Sequence, residues 1–217
     1  MRREIVIPTL MLWLLCGCTE NTGYLVTSPT RDNLVATGDS LRTAMRYTAN
    51  VATAPKAEII PLKINGPFQS YDRAKILRAV NEWNVALNGF VRFDIVGEGE
   101  SATAARPSGT WVITATHGAP PVSVRSVLAF TYALPSAGGL MAVYVDSIGT
   151  RDLGGVVMHE LGHVLGLGHD NGGLMAAHYH PSDQKCVDKA TVRAIAAKRR
   201  LPISQLNWCE TNEARAR

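Results

Sequence analysis

The sequence predicts an α+β fold built on one mixed β-sheet. Apolar residues alternate over several short segments and recur with a helical period in others, in the order strand, helix, four strands, helix, loop, helix. The chain has 217 residues, of which 46% are hydrophobic and 18% charged. That composition is typical of a globular protein, and the length is enough for one sizeable domain. We expect this domain to cover residues 56–217.

Five segments carry the patterns that are typical of strands. They cover residues 57–65, 90–96, 109–116, 126–134 and 138–146. In the segment 90–96, Val91, Phe93 and Ile95 lie on the same side of an extended chain, because successive side chains of a strand point to opposite faces. This alternation predicts one buried and one more polar face.

The first helix is predicted over residues 70–87, and Asn88-Gly89 ends it. Its apolar residues recur with a period of 3.6 and form one face. They are Ile76, Val80, Trp83 and Leu87.

Two further helices follow the strands. One begins after Asp152, whose side chain can cap it, and continues to Leu165. The other is predicted over residues 182–200. Its buried side is expected to comprise Val187, Thr191, Ala194 and Ile195.

The N-terminus has the features of an export signal. Arg2 and Arg3 precede an apolar run, residues 5–15, that is too short to span a bilayer. The run ends in "LCGC", residues 15–18, which resembles a bacterial lipobox and implies cleavage before Cys18 and acylation of its thiol. An ordinary secretory signal with an incidental cysteine is the alternative.

We therefore expect a signal peptide over residues 1–17 and a tether or short pro-segment over residues 18–55. The N-terminal lipid would anchor the protein to a membrane of the bacterial cell envelope. Thr19 follows the cysteine where an aspartate would favour the inner membrane, so by resemblance to Gram-negative lipoproteins we expect the outer membrane.

Cysteine usage agrees with export. Once Cys16 leaves with the signal and Cys18 carries lipid, Cys186 and Cys209 remain as an even pair in an oxidising compartment. We predict a disulfide between them, which closes a loop of about 24 residues and contributes roughly 3 kcal/mol in the chain-entropy model. Two free buried thiols are the alternative.

The charge of the chain does not indicate a nucleic-acid partner. The formal net charge is only +4, and apart from the short run "KRR" at 198–200 the basic residues are scattered. We expect the chain to be a monomer.

The stretch "HELGHVLGLGHD", residues 159–170, holds three of the six histidines of the chain. On a helix, His159 and His163 lie one turn apart and point the same way, so both imidazoles can bind one zinc ion. Glu160 is rotated by one position, where its carboxylate can take a proton from a water molecule beside the metal.

The glycine in this stretch explains how a third ligand can be reached. Gly166 lies three residues after His163, where a residue with positive φ ends a helix at little cost. The chain can then turn back and bring His169 to the metal. Three protein ligands leave a fourth position for water, which is typical of catalytic zinc rather than structural zinc.

The full pattern HExxHxxGxxH resembles the zinc-binding consensus of the metzincin metallopeptidases. "GGLM", residues 172–175, is similar to the Met-turn of that clan, which implies that Met175 forms an apolar floor beneath the metal. Two upstream segments, residues 71–84 and 127–146, are similar to a helix and to the strands before the active-site helix of the matrixins. The resemblance therefore implies a twisted, mostly parallel mixed sheet, an active-site helix, a Met-turn and a C-terminal helix.

The resemblance also implies a zinc endopeptidase with Glu160 as the general base. An extended peptide would lie along the edge strand near Leu128–Thr131, with Leu128 and Ala129 among the residues that bind it. Tyr179, four residues after the Met, matches a tyrosine that lines the matrixin specificity pocket. Surface packing is the alternative for Tyr179. Two non-peptidase functions remain open: an envelope module that binds zinc for stability, and an amide hydrolase that acts on cell-wall peptides.

The chain departs from the matrixins in two respects. Of the ligands for their second, structural zinc only His117 is present, so we predict one zinc ion and leave calcium open. The stretch from His169 to Met175 is also shorter.

Overall fold

The computed structural model describes residues 57–99, 108–118, 120, 127–134, 138–170, 172–181 and 185–209, together with the strand at residues 16–17. The predicted acylation of Cys18 and the predicted tether lie outside the described residues.

The sheet has six strands in the order β1-β5-β6-β4-β2-β3. They are β1 Cys16–Gly17, β2 Glu58–Asn65, β3 Val91–Glu98, β4 Trp111–Thr116, β5 Ala129–Ala133 and β6 Gly139–Tyr144. Strands β3, β2, β4 and β6 pair in parallel, whereas β5 is antiparallel to β6 and β1 is antiparallel to β5. The predicted α+β fold with a mixed, mostly parallel sheet is therefore confirmed.

Four α-helices complete the described part of the chain. They are α1 Ser70–Ala86, α2 Val145–Ile148, α3 Leu153–Val164 and α4 Lys189–Arg199, and two 3-10 turns cover Gly173–Met175 and Ile203–Gln205. The strand predicted over 138–146 stops at Tyr144 because its last two residues begin α2. None of the helices in the described ranges is long and apolar enough to cross a membrane.

Helix α1 packs against α3 and positions it. The predicted apolar face of α1 is buried, and Trp83 at its centre is 0% exposed. The indole Nε1 of Trp83 donates a hydrogen bond of 2.8 Å to the carbonyl oxygen of Met158 in α3. At the start of α3, the Asp152 side chain accepts a hydrogen bond from the Gly154 backbone, as predicted for its N-cap, and pairs with Arg78 of α1.

The terminal helix was predicted to begin at residue 182, but α4 begins at Lys189. The reason is Asp188, whose carboxylate caps the helix by accepting from the backbone nitrogen of Thr191. The prediction that Ala194 is buried is also wrong, because it is exposed. The buried side of α4 comprises Thr191, Val192, Ile195 and Ala196.

The predicted disulfide between Cys186 and Cys209 is confirmed, with Cα atoms 6.2 Å apart. The backbone nitrogen of Cys209 also donates to the carbonyl oxygen of Val187 at 3.1 Å. Both contacts attach the C-terminal segment to the turn that precedes α4.

Candidate metal centre

Helix α3 places two imidazoles on one face, one turn apart. His159 is 0% exposed and His163 is half-buried. Their Nε2 atoms approach to 3.0 Å. The i, i+4 spacing of the helix accounts for this convergence, as the sequence predicted.

The third imidazole arrives because the chain reverses directly after α3. Gly166 has a φ of +92°, its nitrogen donates to His163, and the next nitrogen, of Leu167, donates back to Gly162. This pair of bonds is a Schellman motif, which ends a helix at a residue with left-handed backbone. The turn brings the His169 ring centroid to 5.3 Å from that of His159 and 5.0 Å from that of His163.

One ring nitrogen from each of the three histidines lies within 4.8 Å of the others. Burial decreases from His159 through His163 to His169, which is exposed, so the cluster opens to solvent on the His169 side. Within the described ranges, no other group of three or more His, Cys, Asp or Glu side chains converges in this way.

The outer nitrogens of the two helical histidines are held by backbone carbonyls. Nδ1 of His159 lies 2.7 Å from the oxygen of Leu174, and Nδ1 of His163 lies 2.8 Å from the oxygen of Leu167. A carbonyl only accepts, so each Nδ1 carries the proton that it donates. In a neutral imidazole Nε2 is then unprotonated, and its lone pair is directed at the centre of the cluster.

The residues fit a bound cation. Burial, followed by repulsion from His163, lowers the pKa of His159 to about 3, and burial also lowers the pKa of His163 and of His169. The imidazoles are therefore neutral at neutral pH, and two Nε2 lone pairs face each other with no proton between them. A metal ion resolves this conflict, and three imidazole nitrogens suit zinc. The three histidines could hold one zinc ion.

The predicted Met-turn lies beneath this cluster. Met175 ends the 3-10 turn Gly173–Met175 and is 3% exposed. Its sulfur packs directly against α3 at Gly162, where any larger side chain would collide with it. The backbone of Asp170 donates to the Met175 carbonyl at 2.8 Å, which closes the loop that carries His169.

Glu160 lies beside the histidines on α3 and is 0% exposed. Its Oε2 accepts a hydrogen bond of 2.6 Å from the Thr131 hydroxyl on β5. The carboxylate is thus buried on the same helix as His159 and His163, and its role as a general base stays a prediction.

The predicted substrate-binding residues differ in what they present. Leu128 and Ala129 are 2% and 0% exposed, so neither residue presents surface to a peptide in this structure, and their role in substrate binding stays a prediction. Tyr179 is half-buried and packs against the core, and its hydroxyl accepts a hydrogen bond of 2.9 Å from the backbone nitrogen of Asp152. Tyr179 thus connects the chain after the Met-turn to the start of α3, and its role in a specificity pocket stays a prediction.

Two residues that contact this centre were not predicted to do so: Thr131, expected only as part of the peptide-binding edge, and Asp188. Thr131 binds Glu160, and alternation along β5 could have placed its side chain on the same face as Ala129. Asp188 accepts a hydrogen bond of 3.0 Å from the backbone nitrogen of Leu174, whose carbonyl holds His159. The spacing Asp-x-x-Thr at 188–191 is a helix N-cap signal, but it does not reveal the contact to the Met-turn.

His117, which the sequence places in the region of the second matrixin zinc site, does not belong to the three-histidine cluster. Its Nδ1 is 3.3 Å from a carboxylate oxygen of Asp146, and both side chains are exposed. Asp146 also accepts from the backbone nitrogen of Gly118 at 2.8 Å, and these two hydrogen bonds lower its pKa. The pair links the end of β4 to α2.

Comparison with known proteins bears on the part of the chain that contains the three-histidine cluster. The family model described as matrixin matches residues 108–197, a range that includes the three histidines, Glu160 and Met175. No curated protein matches the sequence at a significant level.

Several solved structures are similar to part of the chain. Metalloproteinase-II from Bacteroides fragilis has a TM-score of 0.43 and 14% identity, over 68% of this chain and 56% of that one. Archaemetzincin from Methanopyrus kandleri has a TM-score of 0.47 and 14% identity, over 67% and 98%. High choriolytic enzyme 1, a hatching enzyme zinc-protease from the medaka fish Oryzias latipes, has a TM-score of 0.33 and 17% identity, over 51% and 44%.

The chain thus spans little more than half of the length of the Bacteroides fragilis enzyme. The chain is similar to the matrixins over residues 108–197, the part that contains the three-histidine cluster and the turn at Met175.

Proposed function

We propose that the chain is a zinc-dependent endopeptidase of the metzincin type. The observation that carries the proposal is the convergence of three neutral imidazoles beside a buried glutamate, with one side of the cluster open to solvent. A site that holds zinc only for stability has no use for a buried carboxylate at this position, because burying an ionised group costs free energy. The matrixin match over residues 108–197 supports the same conclusion.

In this proposal His159, His163 and His169 hold the one zinc ion. When bound, zinc would supply a Lewis acid that makes a water molecule more acidic and stabilises negative charge on the scissile carbonyl oxygen. Glu160 accepts the proton of the attacking water and passes it to the leaving amine. Met175 gives the histidines an apolar floor, and the Leu174 and Leu167 carbonyls orient the two helical imidazoles.

The substrate is an extended peptide that pairs with the outer edge of β5. Strand β1 supports this, because Cys16 and Gly17 already pair there antiparallel, opposite Thr131 and Phe130. That edge accepts backbone hydrogen bonds from an extended segment, which is how a peptide adds a strand to a sheet. Cleavage before Cys18 would remove both residues and leave the edge to the substrate.

The location of the enzyme follows from the same N-terminal segment. An acyl chain on Cys18 would attach the domain to the envelope, with the outer membrane as the expected site. Cys18→Ser should leave the protein unprocessed or released from the membrane fraction. Wild-type protein with an unmodified N-terminus, cleaved at another position, would exclude the lipid anchor.

The function is tested by separating zinc binding from turnover. Glu160→Ala should retain one zinc ion per chain, measured by elemental mass spectrometry, but lose about 10²–10⁴-fold in turnover of a denatured protein substrate. His163→Ala should lose most of the zinc, and His117→Ala, an exposed histidine remote from the cluster, should lose none. If the wild-type protein binds one zinc ion per chain but does not cleave the denatured protein, the zinc-binding module is favoured. If it cleaves only cell-wall peptides, the amide hydrolase is favoured.

A further inference from the structure

We infer that Thr131 is a positioning residue for the general base Glu160. Its hydroxyl fixes the orientation of the Glu160 carboxylate, and so connects the strand along which the peptide lies to the group that accepts the proton. The inference rests on the proposed peptidase function and adds a residue that the zinc-binding motif does not contain.

The sheet geometry places Thr131 where it can do this. In β5, Phe130 and Tyr132 stack on each other with ring centroids 5.7 Å apart, and Phe130 also contacts Tyr144. Successive side chains of a strand point to opposite faces, so Thr131 projects to the other face. That face lies against α3, where the hydroxyl meets Oε2 of Glu160.

The contact has the properties of a strong hydrogen bond. The separation of 2.6 Å between Oγ1 and Oε2 is typical of a hydroxyl that donates to an ionised carboxylate. Thr131 is β-branched and stands in a strand, so its χ1 angle is restricted and the direction of the hydroxyl is well defined. Glu160 is 0% exposed, so the protein supplies a donor where bulk water is excluded.

The consequence for catalysis concerns the orientation of the Glu160 carboxylate. A glutamate has three side-chain torsions, and a carboxylate that rotates spends less time aligned with the proton it must accept. One short bond to Oε2 restricts that rotation. The benefit appears in the chemical step, because the hydroxyl contacts neither the metal ligands nor the backbone edge that binds peptide. Such preorganisation raises kcat more than it lowers KM.

The test is a pair of substitutions at one position. Thr131→Val keeps the shape and removes the donor, and we expect kcat to fall about 10- to 100-fold, the range that losing one hydrogen bond to a charged group corresponds to. KM and zinc content should change little, whereas the melting temperature should fall, because the buried Glu160 carboxylate loses a donor. Thr131→Ser restores the hydroxyl and should recover most of kcat. Thr114→Val makes the same change in β4, two strands away in the sheet, and should leave all four quantities unchanged.

Three results would overturn the inference: wild-type kcat in Thr131→Val, a Thr131→Ser variant as slow as the valine variant, or a rise in KM with kcat unchanged. The second would mean that the methyl group acts through packing, and the third that Thr131 serves peptide binding. If Thr131→Val does not fold, Thr131→Ala makes the same comparison. Glu160→Ala is assayed in parallel: its normal turnover would refute the peptidase mechanism, whereas an inactive Glu160→Ala beside a normal Thr131→Val refutes this inference alone.

Discussion

Replacing Asp188 by alanine should loosen the Met-turn and, through it, the orientation of His159. The Asp188 carboxylate accepts three hydrogen bonds: from the backbone nitrogen of Leu174 at 3.0 Å, from the backbone nitrogen of Thr191 at 2.9 Å and from the Thr191 hydroxyl at 2.8 Å. It therefore caps α4 and holds the Met-turn at the same time. Leu174 in turn accepts from Nδ1 of His159, so the effect should reach the zinc ligands.

The magnitude follows from these contacts. Losing an aspartate N-cap costs about 1 kcal/mol, and losing a backbone donor's bond to a carboxylate costs about 1.5–3 kcal/mol. Because one side chain makes both contacts, the two terms overlap, and we expect a loss of about 2–3 kcal/mol. For a domain of this size that lowers the melting temperature by roughly 5–10 °C. Asp188 holds Leu174, and the Leu174 carbonyl orients His159, so loss of the Asp188 carboxylate should weaken zinc binding by about 10-fold.

Two further variants separate the cap from the contact with the Met-turn. In Asp188→Asn the amide oxygen can still cap α4, but an NH₂ group then faces the Leu174 N–H, so zinc affinity should fall as in the alanine variant while stability falls less. Thr191→Val removes only the hydroxyl contact and should keep zinc affinity. The assay is competition with a chromophoric chelator, together with thermal melts. Wild-type zinc affinity in both Asp188 variants would refute the idea that this carboxylate orients His159.

Three other variants test the turn after α3, the disulfide and the burial of Glu82. Gly166→Ala should destabilise the fold by about 1–2 kcal/mol in denaturant titrations and weaken zinc binding, because a side chain at φ +92° is strained and meets Lys198 at 2.8 Å; unchanged zinc affinity would contradict the role of this turn in placing His169. Replacing Cys186 and Cys209 by serine should lower the unfolding free energy by roughly 3 kcal/mol and leave zinc per chain unchanged, and an unaltered denaturation midpoint would count against the chain-entropy account. Burial raises the pKa of Glu82 from its ordinary value of 4.5 to about 7, so between these pH values the folded protein binds more protons than the unfolded chain, and stability falls as pH rises through that window. Glu82→Gln should therefore gain melting temperature relative to wild type at pH 8 but not at pH 4, and an equal difference at both pH values would refute the cause.

The sequence by itself determined the features that depend on neighbours in the chain. The i, i+4 spacing put two imidazoles on one face of α3, and the glycine three residues later ended the helix with positive φ. The capping aspartate at position 152 and the apolar face of α1 follow from equally local rules. Each of these involves groups within about three turns of one helix or its ends, so backbone geometry alone fixes their relative positions.

Only the tertiary structure decided which groups support that site. Thr131 precedes Glu160, to which it donates, by 29 residues. Leu174, whose carbonyl accepts from His159, follows His159 by 15 residues. Such contacts depend on how strands and helices pack, and periodicity shows which face is buried but not what it meets. Asp188 shows both kinds of contact: its cap at the start of α4 is local and readable from the spacing to Thr191, whereas its bond to the Met-turn depends on packing. Hydrogen bonds that join separate elements depend on how those elements pack, so the spacing of residues within one segment does not predict them.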